Sequence, residues 1–196
     1  MRAPAGLRDE MRRIRRALTP PEGIARATAA AANLGRLLPS LSMPHGAAVA
    51  IYRPTDGELD PGPIAPLIEA LDGRMLLPVC VGSGLRFADF DGSTPTERNR
   101  YGIEEPVGVP AVDASALDLV IVPLVAFDRC GHRLGMGAGY YDRTFATSAE
   151  GDGARRALLV GFGHDEQEVG RLEPDEWDVT MDAIVTPTRA WSTIDD

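Results

Sequence analysis

Apolar positions along the 196-residue chain follow two different periods. Leu7, Met11, Ile14 and Leu18 lie four, three and four residues apart, which is one face of a helix. Arg8, Arg12 and Arg15 form an adjacent stripe that reads as a solvated face. Thr19, Pro20 and Pro21 stop this helix and start another over residues 22–38, with Ile24, Ala27, Ala31, Leu34 and Leu38 on one side. Residues 47–52 form a short β-like run, and Asp56-Gly57 marks a turn. Ile64, Leu67, Ile68 and Leu71 predict a helix over residues 63–71, closed by Gly73. A second strand over residues 75–79 is interrupted by Pro78.

Residues 82–110 are polar and turn-rich, as expected of a hairpin excursion over a site. The run 119–127 is apolar at nearly every position, the mark of a central strand buried on both faces. A helix is expected to continue over residues 144–148, followed by a buried strand at 156–162. A short helix at 165–172 and a last strand at 183–186 complete the series. The β-turn-α-β recurrence predicts an α/β protein of three α/β/α layers. Its sheet is Rossmann-like and largely parallel, in one domain spanning residues 1–196.

Composition narrows the function classes. The net charge of −9 and pI near 4.8 argue against a general nucleic-acid or membrane-surface binder. All 20 basic residues are arginine, so any phosphate contact must be made by guanidinium or backbone. Cys80 and Cys130 are too few for a disulfide framework or metal knuckle. No signal-like segment is visible, and no apolar run approaches the ~20 residues that span a bilayer, so a cytoplasmic location is expected.

Candidate chemistry concentrates in residues 118–142. The apolar run ends in a polar turn at 128–132. Gly135, Gly137 and Gly139 follow at every second position, before Tyr140, Tyr141 and Asp142 open a predicted helix. A strand leading through glycines to a helix N-terminus is a common phosphate-binding arrangement, because backbone amides there lack partners. The spacing matches neither the dinucleotide fingerprint nor the Walker loop, and without lysine the Walker mechanism is excluded. An anion site is favoured over a plain turn, since a turn needs only one or two glycines. Asp142 reads either as a Mg²⁺ ligand beside bound phosphate or as a first-turn acid. Asp182, on pattern alone, reads as a loop acid. His45, His132 and His164 show no metal-ligand spacing. Ser83 lacks the Gly-x-Ser-x-Gly frame.

The run Phe127-Asp-x-x-Gly131-x-Arg133-Leu-Gly135-x-Gly137-x-Gly139-Tyr-Tyr-Asp142-Arg resembles the signature of the 5-formyltetrahydrofolate cyclo-ligase family, also called methenyltetrahydrofolate synthetases. The Leu7-Arg8 helix, the segments 51–60 and 101–106, Gln167, and residues 174–186 also resemble that family, in order. The resemblance implies ATP- and Mg²⁺-dependent ring closure of 5-formyltetrahydrofolate to 5,10-methenyltetrahydrofolate, releasing ADP and phosphate. ATP phosphorylates the formyl oxygen, N10 attacks the activated carbon, and phosphate leaves. It further implies that Arg8 and Arg133 contact ATP phosphates, while Leu134, Gly135, Met136, Gly137, Ala138, Gly139, Tyr140 and Tyr141 wrap the nucleotide. Asp142 and Asp182 would bind Mg²⁺. Tyr52, Glu58, Tyr101 and Tyr140 would line the folate pocket, with Arg133, Tyr140 and Asp142 serving catalysis in a monomer. Pro4 and Ala138 stand where basic residues are common in the family, Met136 where a polar or aromatic residue is, and Trp177 where a histidine is.

Overall fold

The computed structural model describes residues 4–18, 20–146 and 156–194. Helices α1 (Leu7–Arg16) and α2 (Pro20–Leu37) come first, then strand β1 (Ala48–Ala50), helix α3 (Ala65–Ala70) and strands β2 (Arg74–Val81) and β3 (Gly84–Asp89). The excursion contributes β4 (Thr96–Arg98), β5 (Glu104–Pro106) and β6 (Ala111–Val112). Strands β7 (Leu119–Pro123), β8 (Ala126–Phe127) and β9 (Arg133–Leu134) precede helix α4 (Tyr140–Phe145). Strands β10 (Leu158–Phe162), β11 (Ala183–Val185) and β12 (Ala190–Ser192) end the fold. Thr19 and the expected helix at 147–148 lie outside the described residues.

Eight strands form one sheet in the order β12-β11-β10-β7-β1-β2-β3-β6. The run from β11 to β2 is parallel and the edge strands are antiparallel. The α/β expectation therefore holds, with β7 central. Its side chains alternate between two cores. Leu119 and Ile121 pack with Ala27, Ala30, Leu34 and Ile68 of α2 and α3. Val120 and Val122 face the other side, toward Phe87 and Phe145. Helix α2 buries Ala27, Ala30, Ala31 and Leu34, the i, i+3, i+4, i+7 stripe, but its Ile24 is exposed.

Several boundaries differ from the sequence expectation for identifiable reasons. The central run breaks after Pro123, and Ala126–Phe127 leaves the sheet to pair with β9. Strand β2 continues through Pro78, because its pairing with β1 ends at Leu76 and the proline needs no ladder bond on that side. Only residues 165–167 of the expected 165–172 helix are helical, as a 3-10 turn. Strand β12 follows the strand expected to be last. The arginine stripe of α1 is solvated only in part: Arg8 is exposed and Arg12 half-buried, but Arg15 is 1% exposed. Met11 of the same helix packs on Val125, Ala126 and Leu134, placing α1 across the β8–β9 hairpin.

That hairpin is held by buried Asp128. Its Oδ1 accepts from the backbone N–H of Cys130 and His132, each at 3.0 Å, and its Oδ2 from Leu172 N–H at 3.0 Å. The His132 ring also lies 2.8 Å from Oδ2. An Asp128→Asn substitution turns one acceptor into a donor facing donors. It is expected to cost about 1.5–3 kcal/mol in urea unfolding, with the m-value unchanged.

Candidate active site

Strand order reverses between β1 and β7, and open α/β sheets bind ligands at such switch points, beyond the carboxyl ends of the strands. A cavity of about 780 Å³ lies there. Tyr52 and Arg53 enter it from the segment after β1, Pro123, Leu124 and Val125 from the end of β7, and Pro78 and Cys80 from β2. The β4–β5 hairpin of the excursion supplies Asn99, Tyr101, Ile103 and Glu105. The glycine loop closes the remaining side.

The loop approaches its neighbours closely. Gly137 and Gly139 have φ of 98° and 67°, in the left-handed region that favours glycine. A Cβ on Gly139 would lie 2.6 Å from Arg143 Nη1. Arg8 reaches across from α1 and donates from Nε to Gly135 O at 2.9 Å. Arg143 donates to Ala138 O at 2.5 Å and to Ser83 O at 2.7 Å, so a guanidinium covers the loop beside Ala138. Helix α4 spans only Tyr140–Phe145. So short a helix offers little dipole, and the charges beside the loop are those of Arg8, Arg133 and Arg143.

Arg133 and Asp142 are joined: Arg133 Nη2 donates to Asp142 Oδ1 at 2.7 Å. Arg133 is buried, and its Nε has no hydrogen-bond partner. Asp142 Oδ1 also accepts from Val179 N–H at 3.4 Å. Both residues line the cavity. Asp182 does not. It stands at the start of β11, the opposite end of the parallel strands from the cavity, and its carboxylate takes Arg156 through both oxygens at 2.5 and 2.7 Å. Leu159 N–H donates to it as well, at 2.8 Å. With its oxygens so engaged, Asp182 is not brought together with Asp142 at the site.

The rest of the lining is rich in aromatic and acidic side chains. Tyr52 is buried and donates to Leu59 O at 2.5 Å. Tyr141 stacks on Phe145 with centroids 6.4 Å apart. Burial raises both phenols above their ordinary range, and the charge of Glu58 raises them further. Tyr140 is joined at its hydroxyl by Arg100 and by Tyr101, whose ring meets it edge-on at 6.1 Å. The loop residues Gly135 to Tyr141 all line the same space, with Leu134 packed behind it in the α1 core.

Sequence reasoning singled out neither Arg53, Cys80, Asn99, Glu105 nor Arg143. The period-2 alternation of β5, which exposes Glu104 and half-buries Glu105, is the signal that separates the two glutamates. No described helix is long and apolar enough to cross a membrane. Among the described residues no group of three or more His, Cys, Asp or Glu side chains could hold a metal unaided.

The sequence profile of the 5-formyltetrahydrofolate cyclo-ligase family matches residues 1–187. The chain belongs to that family. An Escherichia coli K12 cyclo-ligase is 37% identical over 186 residues, covering 92% of this chain and 98% of its own. The Mycolicibacterium smegmatis cyclo-ligase is 32% identical over 154 residues, covering 74% and 75%. The solution structure of Aquifex aeolicus 5,10-methenyltetrahydrofolate synthetase superposes with a TM-score of 0.80 at 29% identity, covering 98% of this chain and 93% of its own. A Mycoplasma pneumoniae synthetase shares the fold at 22% identity and a TM-score of 0.72. The family converts 5-formyltetrahydrofolate to 5,10-methenyltetrahydrofolate with ATP.

Within this cyclo-ligase fold, Glu58 carries a pH signature. Burial pushes its carboxyl above the ordinary value of 4.5, against the pull of the Thr55 hydrogen bonds and the Arg15 charge. Between the ordinary and the raised value the folded protein holds a proton that the unfolded chain has released. This contribution to stability is full below the ordinary value and lost as pH rises through the raised one. In urea titrations at a series of pH values, Glu58→Gln is expected to remove that decline, so the variant gains on the parent as pH rises from 4.5.

Proposed function

We propose that this protein is an active 5-formyltetrahydrofolate cyclo-ligase that closes the imidazoline ring at the expense of ATP, with Mg²⁺ bound through Asp142. The observation carrying this reading is one cavity whose glycine-loop wall carries arginines and whose remaining lining includes aromatic and acidic side chains, in a chain of that family. The first wall suits polyphosphate. Arg8, Arg133 and Arg143 stand along it, and the buried unpaired Nε of Arg133 is a donor awaiting an acceptor.

For Mg²⁺ the donor set fits in part. Asp142 offers one cavity-lining carboxylate, and both of its recorded bonds fall on Oδ1. Mg²⁺ in nucleotide sites commonly uses one or two carboxylates and completes its shell with phosphate oxygens and water. A bound Mg²⁺ would supply neutralisation of the phosphate charge. The chain's own residues do the rest. Arg133 and Arg8 orient the phosphates, Tyr52 and Tyr141 flank a flat pterin, and Tyr101 with Arg100 fixes Tyr140 at the mouth. Holding the reacting groups in register replaces a bimolecular encounter, the main resource available when the protein offers no covalent chemistry.

Purified protein given 5-formyltetrahydrofolate, ATP and Mg²⁺ is expected to develop methenyl absorbance that disappears without either ATP or folate. Binding of both ligands without turnover would identify a non-catalytic relative instead. Asp142→Asn, which keeps the acceptor for Arg133, is expected to lower turnover about a hundredfold or more and raise the Mg²⁺ needed for half-maximal rate. Unchanged Mg²⁺ dependence would remove Asp142 from the metal role.

A further inference from the structure

Helix α1 carries the first arginine of the glycine-loop wall, yet little apolar surface fastens it to the fold. Met11 is its single buried apolar side chain, with Leu7 and Ile14 half-buried. Its polar attachments converge instead on one carboxylate. Arg12 Nε and Arg15 Nη2 both donate to Asp56 Oδ2 at 2.7 Å, and Arg16 donates to Oδ1. Asp56 thus meets three guanidinium groups from two successive turns of one helix.

Asp56 is itself fixed to the sheet. Thr55 N–H donates to Glu58 Oε2 and Glu58 N–H to Thr55 O, each at 2.9 Å, which closes the turn around it. His164, buried just past β10, places Nε2 3.2 Å from Gly57 O. A Cβ on Gly57 would lie 2.9 Å from Arg15 O, so the turn and the end of the helix touch.

The spacing of the arginines relays this grip to the glycine loop. Arg8, Arg12 and Arg15 stand four and three residues apart and share one stripe of α1. Gripping Arg12 and Arg15 sets the rotation of α1 about its axis, and with it the place of Arg8. Arg8 Nε donates to Gly135 O at 2.9 Å, and its guanidinium carbon lies 3.9 Å from where a Cβ on Gly137 would stand. No bond within the described residues uses its Nη1 or Nη2, which leaves both nitrogens to an anion held by the loop. Asp56 also borders the cavity, but its carboxylate oxygens are taken by the α1 guanidinium groups.

We infer that Asp56 is a positioning residue for nucleotide binding: it grips α1 through Arg12, Arg15 and Arg16 and so holds Arg8 against the glycine loop. The inference rests on the ATP reading above and adds to it the carboxylate that places the Arg8 contact.

Asp56→Asn removes the charge while suiting the left-handed backbone at φ 54°. Calorimetry on the parent, Asp56→Asn, Arg8→Ala and the double variant is paired with amide hydrogen exchange over α1. Asp56→Asn is expected to speed exchange in α1 and to weaken Mg·ATP binding about tenfold, with 5-formyltetrahydrofolate affinity unchanged. Arg8→Ala is expected to weaken ATP binding to a similar degree, and the double variant no further, since both act at one contact. Losses that multiply would give Asp56 a separate, structural role and overturn the inference. So would equal losses for ATP and folate, or parental ATP affinity in either single variant, and each of these leaves the ATP reading standing. If Asp56→Asn does not fold, Arg16→Gln, which removes an exposed arm of the grip, decides instead. It must speed α1 exchange and weaken ATP binding together; either change alone, or neither, overturns the inference. A parent that binds no ATP removes the nucleotide reading along with it.

Discussion

One buried guanidinium, that of Arg15, holds three walls of the cavity together. Its Nε and Nη2 donate to Asp56 O and Asp56 Oδ2, each at 2.7 Å, in the loop after β1. Its Nη1 reaches Leu124 O, at the end of β7, at 3.3 Å. Nη2 also lies 3.7 Å from the Met136 sulfur in the glycine loop. Burying a lone charge costs several kcal/mol, so the arrangement persists only because Asp56 answers it. Burial raises the Asp56 carboxyl, but hydrogen bonds from Arg12, Arg15 and Arg16 together outweigh that and hold it below its ordinary range. The backbone conforms as well. Asp56 and Gly57 both have positive φ, and a Cβ on Gly57 would lie 2.9 Å from Arg15 O.

This constraint explains why arginine, not lysine, suits the position. A planar fork reaches several acceptors in different directions at little rotamer cost, whereas an ammonium is a point charge that resists desolvation. Arg133 repeats the principle, bonding Asp142 through Nη2, with its carbon 5.7 Å from the Tyr141 ring centroid. In a chain of net charge −9, Arg8, Arg12, Arg53, Arg133 and Arg143 nonetheless line this cavity.

Much of this was legible in the sequence. The apolar run at 119–127, the alternating glycines and the tyrosines before Asp142 are local patterns, and local patterns report strand, turn and helix start. What sequence periodicity cannot report is a partner far along the chain. Arg15 shares a stripe with Arg8 and Arg12, yet its carboxylate lies 41 residues away, so a buried tether looked like a solvated face. Asp182, a loop acid on pattern alone, likewise has partners that no pattern shows: Arg156 and Leu159 N–H claim it at the far end of the strands. Glu105 stood inside a recognisable segment beside Glu104, and only the hairpin's register shows which of the two faces the cavity.

The division of charge within the cavity follows from the fold rather than from any one residue. Helix α1 and the glycine loop bring guanidinium groups to one wall, because Arg8 and Arg15 each reach across to that loop. The loop after β1 and the β4–β5 hairpin bring Glu58 and Glu105 from separate chain segments, with Arg53 beside them in the lining and Arg15 close to Glu58. The Arg15 tether joins α1 to the loop after β1, to the end of β7 and to the glycine loop, and so keeps these walls from drifting apart.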